Sequence, residues 1–387
     1  MRCPSCGSGD ADVFHSVGGI PVASNIVIHD AGEAAAYERG RLDLAVCPRC
    51  GFIFNHLFDP GLVDYSRPYE ESQAFSPTFR AFQDALVARL TDEYDLADKA
   101  VLEIGCGKGA FLEALCSHSG ARGTGIDPAF QPGRIADAPV EGVDAFFDES
   151  TTSMTADLIC CRHTLEHIRP VGDFLRLVRI SAGHTEGSAV MFEVPDVTRI
   201  LAEGAFWDVF YEHCSYFAPV SLSWLFRASG FEVTRLELEY DDQYLVIDGR
   251  PGRIDELVEV EAVDRIVALA EGFGRRVKEG IEAWHRQIEG SETVVLWGAG
   301  SKAVGFLAAL DEPAAVRAVV DINPYKQGSY LPGSARAVIA PAAVKAIEPQ
   351  LVIIMNPIYR EEIRGMLNEL GVDAEVVALG EFDDTLV

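Results

Sequence analysis

Val263, Ile266, Ala270, Phe273, Val277, Ile281, Trp284 and Ile288 follow one another in steps of three and four, which draws a single apolar stripe down a long helix. Phe79, Phe82, Leu86 and Leu90 repeat that spacing and predict a shorter amphipathic helix. Elsewhere the apolar positions run on without period. KAVLEIGCGKGAFLEAL (99–115) reads as strand, glycine turn and helix, and GTGID (123–127), ADLICC (156–161) and SAVMFEVP (188–195) read as further strands. After the long helix the pattern restarts with TVVLWGAGSKAVGFLAAL (293–310), AVVDINP (318–324) and LVIIMNP (351–357). Short continuous apolar runs alternating with helical stretches predict an α/β fold, a largely parallel and doubly wound sheet followed by a second, smaller α/β domain.

A chain of 387 residues suits two or three domains. The pattern divides it into 1–65, a small cysteine-bearing domain; 66–250, the larger sheet domain; 251–290, a helical connector; and 291–387, the smaller α/β domain. The formal charge of −28 excludes nucleic acid and an anionic membrane surface as main partners, which leaves a small-molecule substrate. No apolar run approaches the roughly 18–20 residues that span a bilayer, and no basic segment leads into an apolar one at the N-terminus. Nine cysteines, two CxxC pairs and five scattered, suit a reducing compartment. A soluble, cytoplasmic protein is expected, as a monomer or small homo-oligomer.

CPSCG (3–7) and CPRCG (47–51) each turn the backbone so that two thiolates face one centre. Together Cys3, Cys6, Cys47 and Cys50 form a closed four-sulfur set, which predicts structural zinc with no open coordination position. The gap between the pairs requires an inserted hairpin or loop.

In EIGCGKG, Gly105, Gly107 and Gly109 alternate through the turn, Glu103 closes the strand, and Asp127 follows about 20 residues on, where it can hold ribose hydroxyls. The turn lacks the G-x-G-x-x-G spacing of a dinucleotide site. G-x-G-x-G after an acid resembles the first motif of class I methyltransferases dependent on S-adenosylmethionine (SAM), which implies SAM as cofactor, with Glu103 near its amino end. CRHTLEHI (161–168) formally contains His163-x-x-Glu166-His167, the order of an inverted zinc protease motif, but it leaves a strand where that chemistry needs a helix. Arg162 and His163 are therefore read as lining the cofactor pocket, with His167 as a packed, hydrogen-bonded residue.

WDVFYEHCSYF (207–217) then places Glu212 beside His213 among aromatic residues, where this fold inserts substrate elements. By itself the pair reads equally as a buried polar pair. Taken in order, the cysteine knuckles, EIGCGKG, YEHCSYF and a terminal domain with GAGSK resemble the sugar-nucleotide C-methyltransferases over essentially the whole chain. The resemblance implies a class I SAM methyltransferase domain between a zinc domain and a Rossmann-like domain, acting on a nucleotide-linked keto-deoxysugar in antibiotic biosynthesis. It implies that His213 removes the proton next to a ketone, with Glu212 orienting it and Tyr69 or Tyr211 donating to the enolate oxygen. This chain carries Phe210 where the family often has a tyrosine; Tyr216 is a further donor candidate. The resemblance also implies that the last domain holds the nucleotide diphosphate, through Gly300, Ser301, Lys302, Asn323, Lys326 and Asn356. A live NAD site there, a vestigial packing domain, O- or N-methylation, C-methylation of another small molecule, and SAM binding without catalysis remain as alternatives.

Overall fold

The computed structural model describes residues 1–64, 69–130, 139–252 and 259–381. The expected junction at 65/66 lies outside the described residues, as do positions 253–258 of the expected connector. Three sheets organise the chain. The first is antiparallel: β1 (Asp12–Pro21) pairs with β2 (Arg39–Val46), and β2 with β3 (Ile53–Asn55). The β1–β2 pair is the insertion between the cysteine knuckles. Each knuckle closes with the glycine amide donating to the first cysteine's carbonyl, Gly7 to Cys3 and Gly51 to Cys47, both at 2.9 Å. Gly7 (φ 74°) and Gly51 (φ 70°) stand in the left-handed region, which is why CPxCG ends in glycine.

The second sheet has seven strands: β4 (Ala100–Ile104), β5 (Arg122–Ile126), β6 (Val140–Val143), β7 (Leu158–Arg162), β8 (Ala189–Pro195), β10 (Phe231–Glu239) and β11 (Tyr244–Pro251). Their order is β10-β11-β8-β7-β4-β5-β6. All neighbours are parallel except β11, which runs antiparallel to both β8 and β10. The strand order reverses beside β4, with β5 and β6 on one side and β7 and β8 on the other, so a crevice opens beyond the carboxyl ends of β4 and β7. The shorter predicted helix forms over Pro77–Tyr94, started by Ser76, whose hydroxyl accepts from the Phe79 amide, and by a proline in its first turn.

The third sheet is wholly parallel, in the order β14-β13-β12-β15-β16: β12 (Val294–Trp297), β13 (Val316–Val320), β14 (Val338–Ile339), β15 (Leu351–Ile354) and β16 (Glu375–Ala378). Its topological switch beside β12 opens a second crevice that faces the first.

Two features tie these units together more closely than the sequence pattern suggests. The long helix, Val260–Glu289, is a shared wall. Its buried Val263, Ile266, Ala270, Phe273, Val277, Trp284 and Ile288 enter one core with β1 and β2 residues, with Ile200 and Trp207, and with Phe306 and Val319 of the last domain. Truncating a fully buried aromatic such as Trp284 costs about 3–5 kcal/mol. The second feature is β9 (Ser215–Tyr216), which leaves the methyltransferase-like region and adds an edge strand to the N-terminal sheet, with Ile53 opposite Tyr216 and Phe54 opposite Ser215. Among the described residues no helix is long and apolar enough to cross a membrane.

Candidate active site

Where the two crevices meet lies a cavity of about 1170 Å³, lined by the second and third sheets and by N-terminal loop residues such as Asn25 and Phe58. One end is formed by the turn after β4. Gly105, Gly107 and Gly109 have φ of 72°, 52° and 77°. A Cβ on Gly105 would lie 1.9 Å from Thr164 Oγ1, and one on Gly107 would lie 2.9 Å from Glu71 Oε1, so these two positions suit glycine alone. Asp127 fixes the turn by accepting from the amides of Gly107 (2.9 Å) and Ala129 (2.7 Å). Glu103 is buried at the end of β4, and its Oε2 has no hydrogen-bond partner. Burial chiefly, then Asp127 and Glu193 against the opposing charge of Arg162, raise its carboxyl to about 7. A buried carboxylate oxygen facing a cavity fits the cationic amino group of SAM, and the bare backbone at Gly105 and Gly107 fits its close approach.

Below this end sits an ionic floor. Arg162 pairs with Glu193 at 3.0 Å and lies over the Phe111 ring at 4.2 Å. His163, at φ 47°, places Nε2 2.8 Å from Glu193 and Nδ1 3.3 Å from Glu166. Burial opposes its charge, but the bonds to Glu166 and Glu193 prevail and raise it to about 9. The protease-like spacing is thereby resolved: Leu165–His167 is a single short turn, and His163 is committed to two carboxylates.

The middle of the cavity holds His213. Its ring meets His167 at 4.9 Å and Phe210 at 4.9 Å, both edge-on. Burial and the neighbouring His167 hold it down to about 3, against the pull of Glu166, so the imidazole is neutral at working pH. Glu166, His167 and His213 bring one carboxylate oxygen and two ring nitrogens within 4.8 Å of one another. His167 Nδ1 lies 3.1 Å from the Glu212 carbonyl oxygen.

Glu212 is buried. Its Oε2 accepts from the Ser24 amide at 2.9 Å and from the Ser24 hydroxyl, and Tyr69 also hydrogen-bonds to its carboxylate. Burial raises this carboxyl above its ordinary value. Tyr69 lines the cavity and Tyr211 does not. The Tyr211 hydroxyl accepts from the Asp59 amide at 3.0 Å, its ring packs on Phe58 at 5.6 Å, and it fills the space a Cβ on Gly40 would need. Tyr211 is therefore an anchor to the N-terminal domain rather than a donor to the cavity. Tyr216 is likewise spent, on the Phe210 carbonyl at 3.2 Å. The donor candidates reduce to Tyr69.

The far end follows β12. Gly300, Ser301, Lys302, Asn323, Lys326 and Asn356 all line the cavity, yet most of their polar atoms face other protein groups. Lys302 Nζ lies 2.7 Å from both Asp208 oxygens, and Arg199 reaches Asp208 Oδ2 at 2.7 Å. Asn323 Nδ2 donates to Glu70 at 3.0 Å, and Asn356 Oδ1 accepts from Gln243 at 3.0 Å. Lys326 Nζ donates to Asn25 and to the Ala299 carbonyl. Arg199 also pairs with Glu203 at 2.9 Å, so two cations and two carboxylates balance in this cluster.

Sequence reasoning missed Ser24, Asn25, Arg199, Asp208 and Tyr244, all in or beside the cavity. Glu193 had a signal, a carboxylate inside the apolar run SAVMFEVP. Ser24 and Asn25 had none, since their partners lie in distant segments.

Away from the cavity, Cys3 and Cys50 Sγ stand 3.8 Å apart and Cys6 and Cys47 Sγ 3.5 Å, with all four sulfurs within 4.8 Å of one another. A tetrahedral ion with metal–sulfur bonds of about 2.3 Å sets its sulfurs about 3.8 Å apart. The donor set fits such an ion.

A methyltransferase-domain family model matches residues 76–236, and a C-methyltransferase C-terminal-domain model matches residues 254–374. The chain is 29% identical over 390 residues to the C-methyltransferase NovU of Streptomyces niveus, covering 94% of this chain and 91% of that one. Among solved structures, the magnesium protoporphyrin IX methyltransferase of Synechocystis with bound S-adenosylhomocysteine aligns at a TM-score of 0.35 and 14% identity, over 45% of this chain and 84% of that one. The N-methyltransferase NodS of Bradyrhizobium japonicum aligns at 0.32 and 19%, over 46% and 98%. With both models matched in succession and a curated relative matched nearly end to end, the chain carries a methyltransferase domain followed by a C-methyltransferase C-terminal domain and is a SAM-dependent methyltransferase.

Proposed function

We propose that this enzyme methylates a carbon next to the ketone of a nucleotide-linked deoxysugar, in the biosynthesis of an antibiotic or similar natural product. The observation that carries the reading is the position of His213. It is a neutral imidazole in a cavity that joins the glycine turn after β4 to the glycine turn after β12.

Glu103, Asp127 and the turn at Gly105–Gly109 would hold SAM, with Arg162 and His163 beneath. When bound, SAM supplies an electrophilic methyl group. His213 takes the proton from the substrate carbon, and the resulting imidazolium forms next to the Glu166 carboxylate, which stabilises it. Tyr69, which lines the cavity, would turn its hydroxyl from Glu212 to the developing enolate oxygen. Phe210 closes the side of the cavity against which the His213 ring packs and offers no hydroxyl there. At the far end, Arg199 and Lys302 and the amides after Gly298 suit a diphosphate. Zinc at Cys3, Cys6, Cys47 and Cys50 would be structural. Nine cysteines with no disulfide support a reducing, cytoplasmic setting.

The test is solvent deuterium exchange into a panel of nucleotide-linked 4-keto deoxysugars, with S-adenosylhomocysteine in place of SAM. Exchange at one carbon that disappears in His213→Ala, with SAM affinity kept, is the expected result. Absence of exchange with every keto sugar, alongside methyl transfer to another acceptor, would overturn the reading.

A further inference from the structure

A chain of hydrogen bonds crosses the molecule from the last domain to Glu212. Lys326 Nζ donates to Asn25 Oδ1 at 3.0 Å, and Asn25 Nδ2 donates to Ser301 Oγ at 2.9 Å. Ser301 Oγ lies 2.7 Å from Ser24 Oγ, and the Ser24 hydroxyl donates to Glu212 Oε2. With Glu212 ionised, the direction of every proton follows. Lysine can only donate, and the single Ser24 proton goes to the carboxylate, so Ser301 must donate to Ser24. The whole series therefore points its donors at Glu212 and carries the polarity of a buried ammonium group to it. Lys326, Ser24 and Glu212 are all buried, so water competes little at either end of the chain.

We propose that Ser24, Asn25, Ser301 and Lys326 are positioning residues that hold Glu212 ionised and in place beside His213, coupling the last domain to the reacting end of the cavity. This assigns Ser301 and Lys326 a different task from the phosphate binding that the family resemblance implied. It rests on the reading of Glu212–His213 as the reacting pair. The backbone supports it, because the Glu212 carbonyl faces His167, which packs on His213. A substrate that fills the far end abuts the Gly300–Ser301 turn and can tighten the series at its middle link. Binding energy from a remote part of the substrate would then be used at the reacting carbon.

The groups that face Glu212 are Ser24 from the N-terminal domain, Tyr69 from the segment before the Pro77–Tyr94 helix, His167 from the short turn after β7, and Lys326 through Asn25. Removing the Ser24 donor leaves burial and Tyr69, so the acid limb of the kcat profile should move to higher pH. The experiment compares Ser24→Ala, Ser24→Thr, Ser301→Ala and Glu212→Gln with the full-length wild-type enzyme, by steady-state kinetics across pH and by deuterium exchange into the keto-sugar probe. Ser24→Ala should lower kcat and the exchange rate roughly 10- to 100-fold, as expected for losing a hydrogen bond to a buried charge. KM for SAM should not change. Ser301→Ala should lower kcat by a smaller factor and shift the acid limb in the same direction, and Ser24→Thr, which keeps the hydroxyl, should restore both. Wild-type kcat and acid limb in Ser24→Ala and Ser301→Ala, with Glu212→Gln impaired, would overturn the relay and leave the catalytic pair standing. Wild-type behaviour in Glu212→Gln would overturn the relay together with the reading of that pair.

Discussion

The enzyme contains two strand–glycine–helix turns that face each other across one cavity, and they are built alike. After β4 the Gly107 amide donates to Asp127 at 2.9 Å; after β12 the Ala299 amide donates to Asp321 at 2.8 Å. Beyond that device they diverge. The first turn has three glycines at positive φ and a buried acid, Glu103, with a free oxygen. In the second, only Gly298 has positive φ, Gly300 is extended at −103°, and the strand before it ends in Leu296 and Trp297. Its polar side chains are tied to other segments of the chain. A turn that receives a ligand leaves polar atoms unpaired at its mouth, whereas a turn whose polar atoms are paired across domains also serves to hold the molecule together.

The strongest way to break this comparison is to put a methyl group on each turn. Gly105→Ala forces a Cβ into Thr164 at a positive φ, and SAM affinity measured by calorimetry should fall by about a hundred-fold or more, the equivalent of roughly 3 kcal/mol. Gly300→Ala has negative φ and nothing nearer its Cβ than 3.8 Å, so SAM affinity should stay within about two-fold of wild type.

Metal removal comes next in size. The N-terminal sheet borrows β9 from the segment that carries His213, and Tyr211 is bonded to Asp59, so stripping the Cys3–Cys6–Cys47–Cys50 site should abolish activity as it unfolds residues 1–64. Circular dichroism and turnover should be lost together, while SAM binding, which depends on the second sheet, falls less.

Smaller effects sharpen the first turn's chemistry. Glu103 titrates near 7, above the ordinary carboxylate range, so it is half ionised at neutral pH. SAM binding should strengthen as pH rises through about 7, and Glu103→Gln should flatten that dependence. His163 supplies the opposite sign in stability. Its folded value of about 9 exceeds the unfolded value of about 6.5, so its contribution is full below 6.5 and is lost as pH rises through 9. The difference in Tm between wild type and His163→Gln should therefore be larger at pH 6 than at pH 9.5.

The contrast between the turns also marks what could be read from the sequence. EIGCGKG, the two CPxCG knuckles and the stripe from Val263 to Ile288 are governed by local geometry, and each takes the form its spacing predicts. Ile281, placed in that stripe, is only partly buried, because the stripe's edge drifts around a helix as long as Val260–Glu289. The orientation of Tyr211 was not legible. Neighbouring positions in an extended segment face opposite ways, and which face met the cavity depended on Asp59 and Phe58, far back in the chain. The partners of Ser301 and Lys326 were hidden for the same reason: Ser24 and Asn25 lie in a segment with no motif of its own. The long helix was read as a connector because its stripe announces burial without saying against what.

The edge strand at Ser215–Tyr216 also has a consequence for how the chain is made. The N-terminal sheet is begun by residues made well before β9, and its β3 edge stays open until residues 215–216 have been made and returned to it. The knuckles can gather their metal early, yet the sheet they anchor waits for most of the second sheet, and β3 remains an unpaired edge meanwhile. A sheet begun early is thus completed late, and its closure fixes the segment that carries His213.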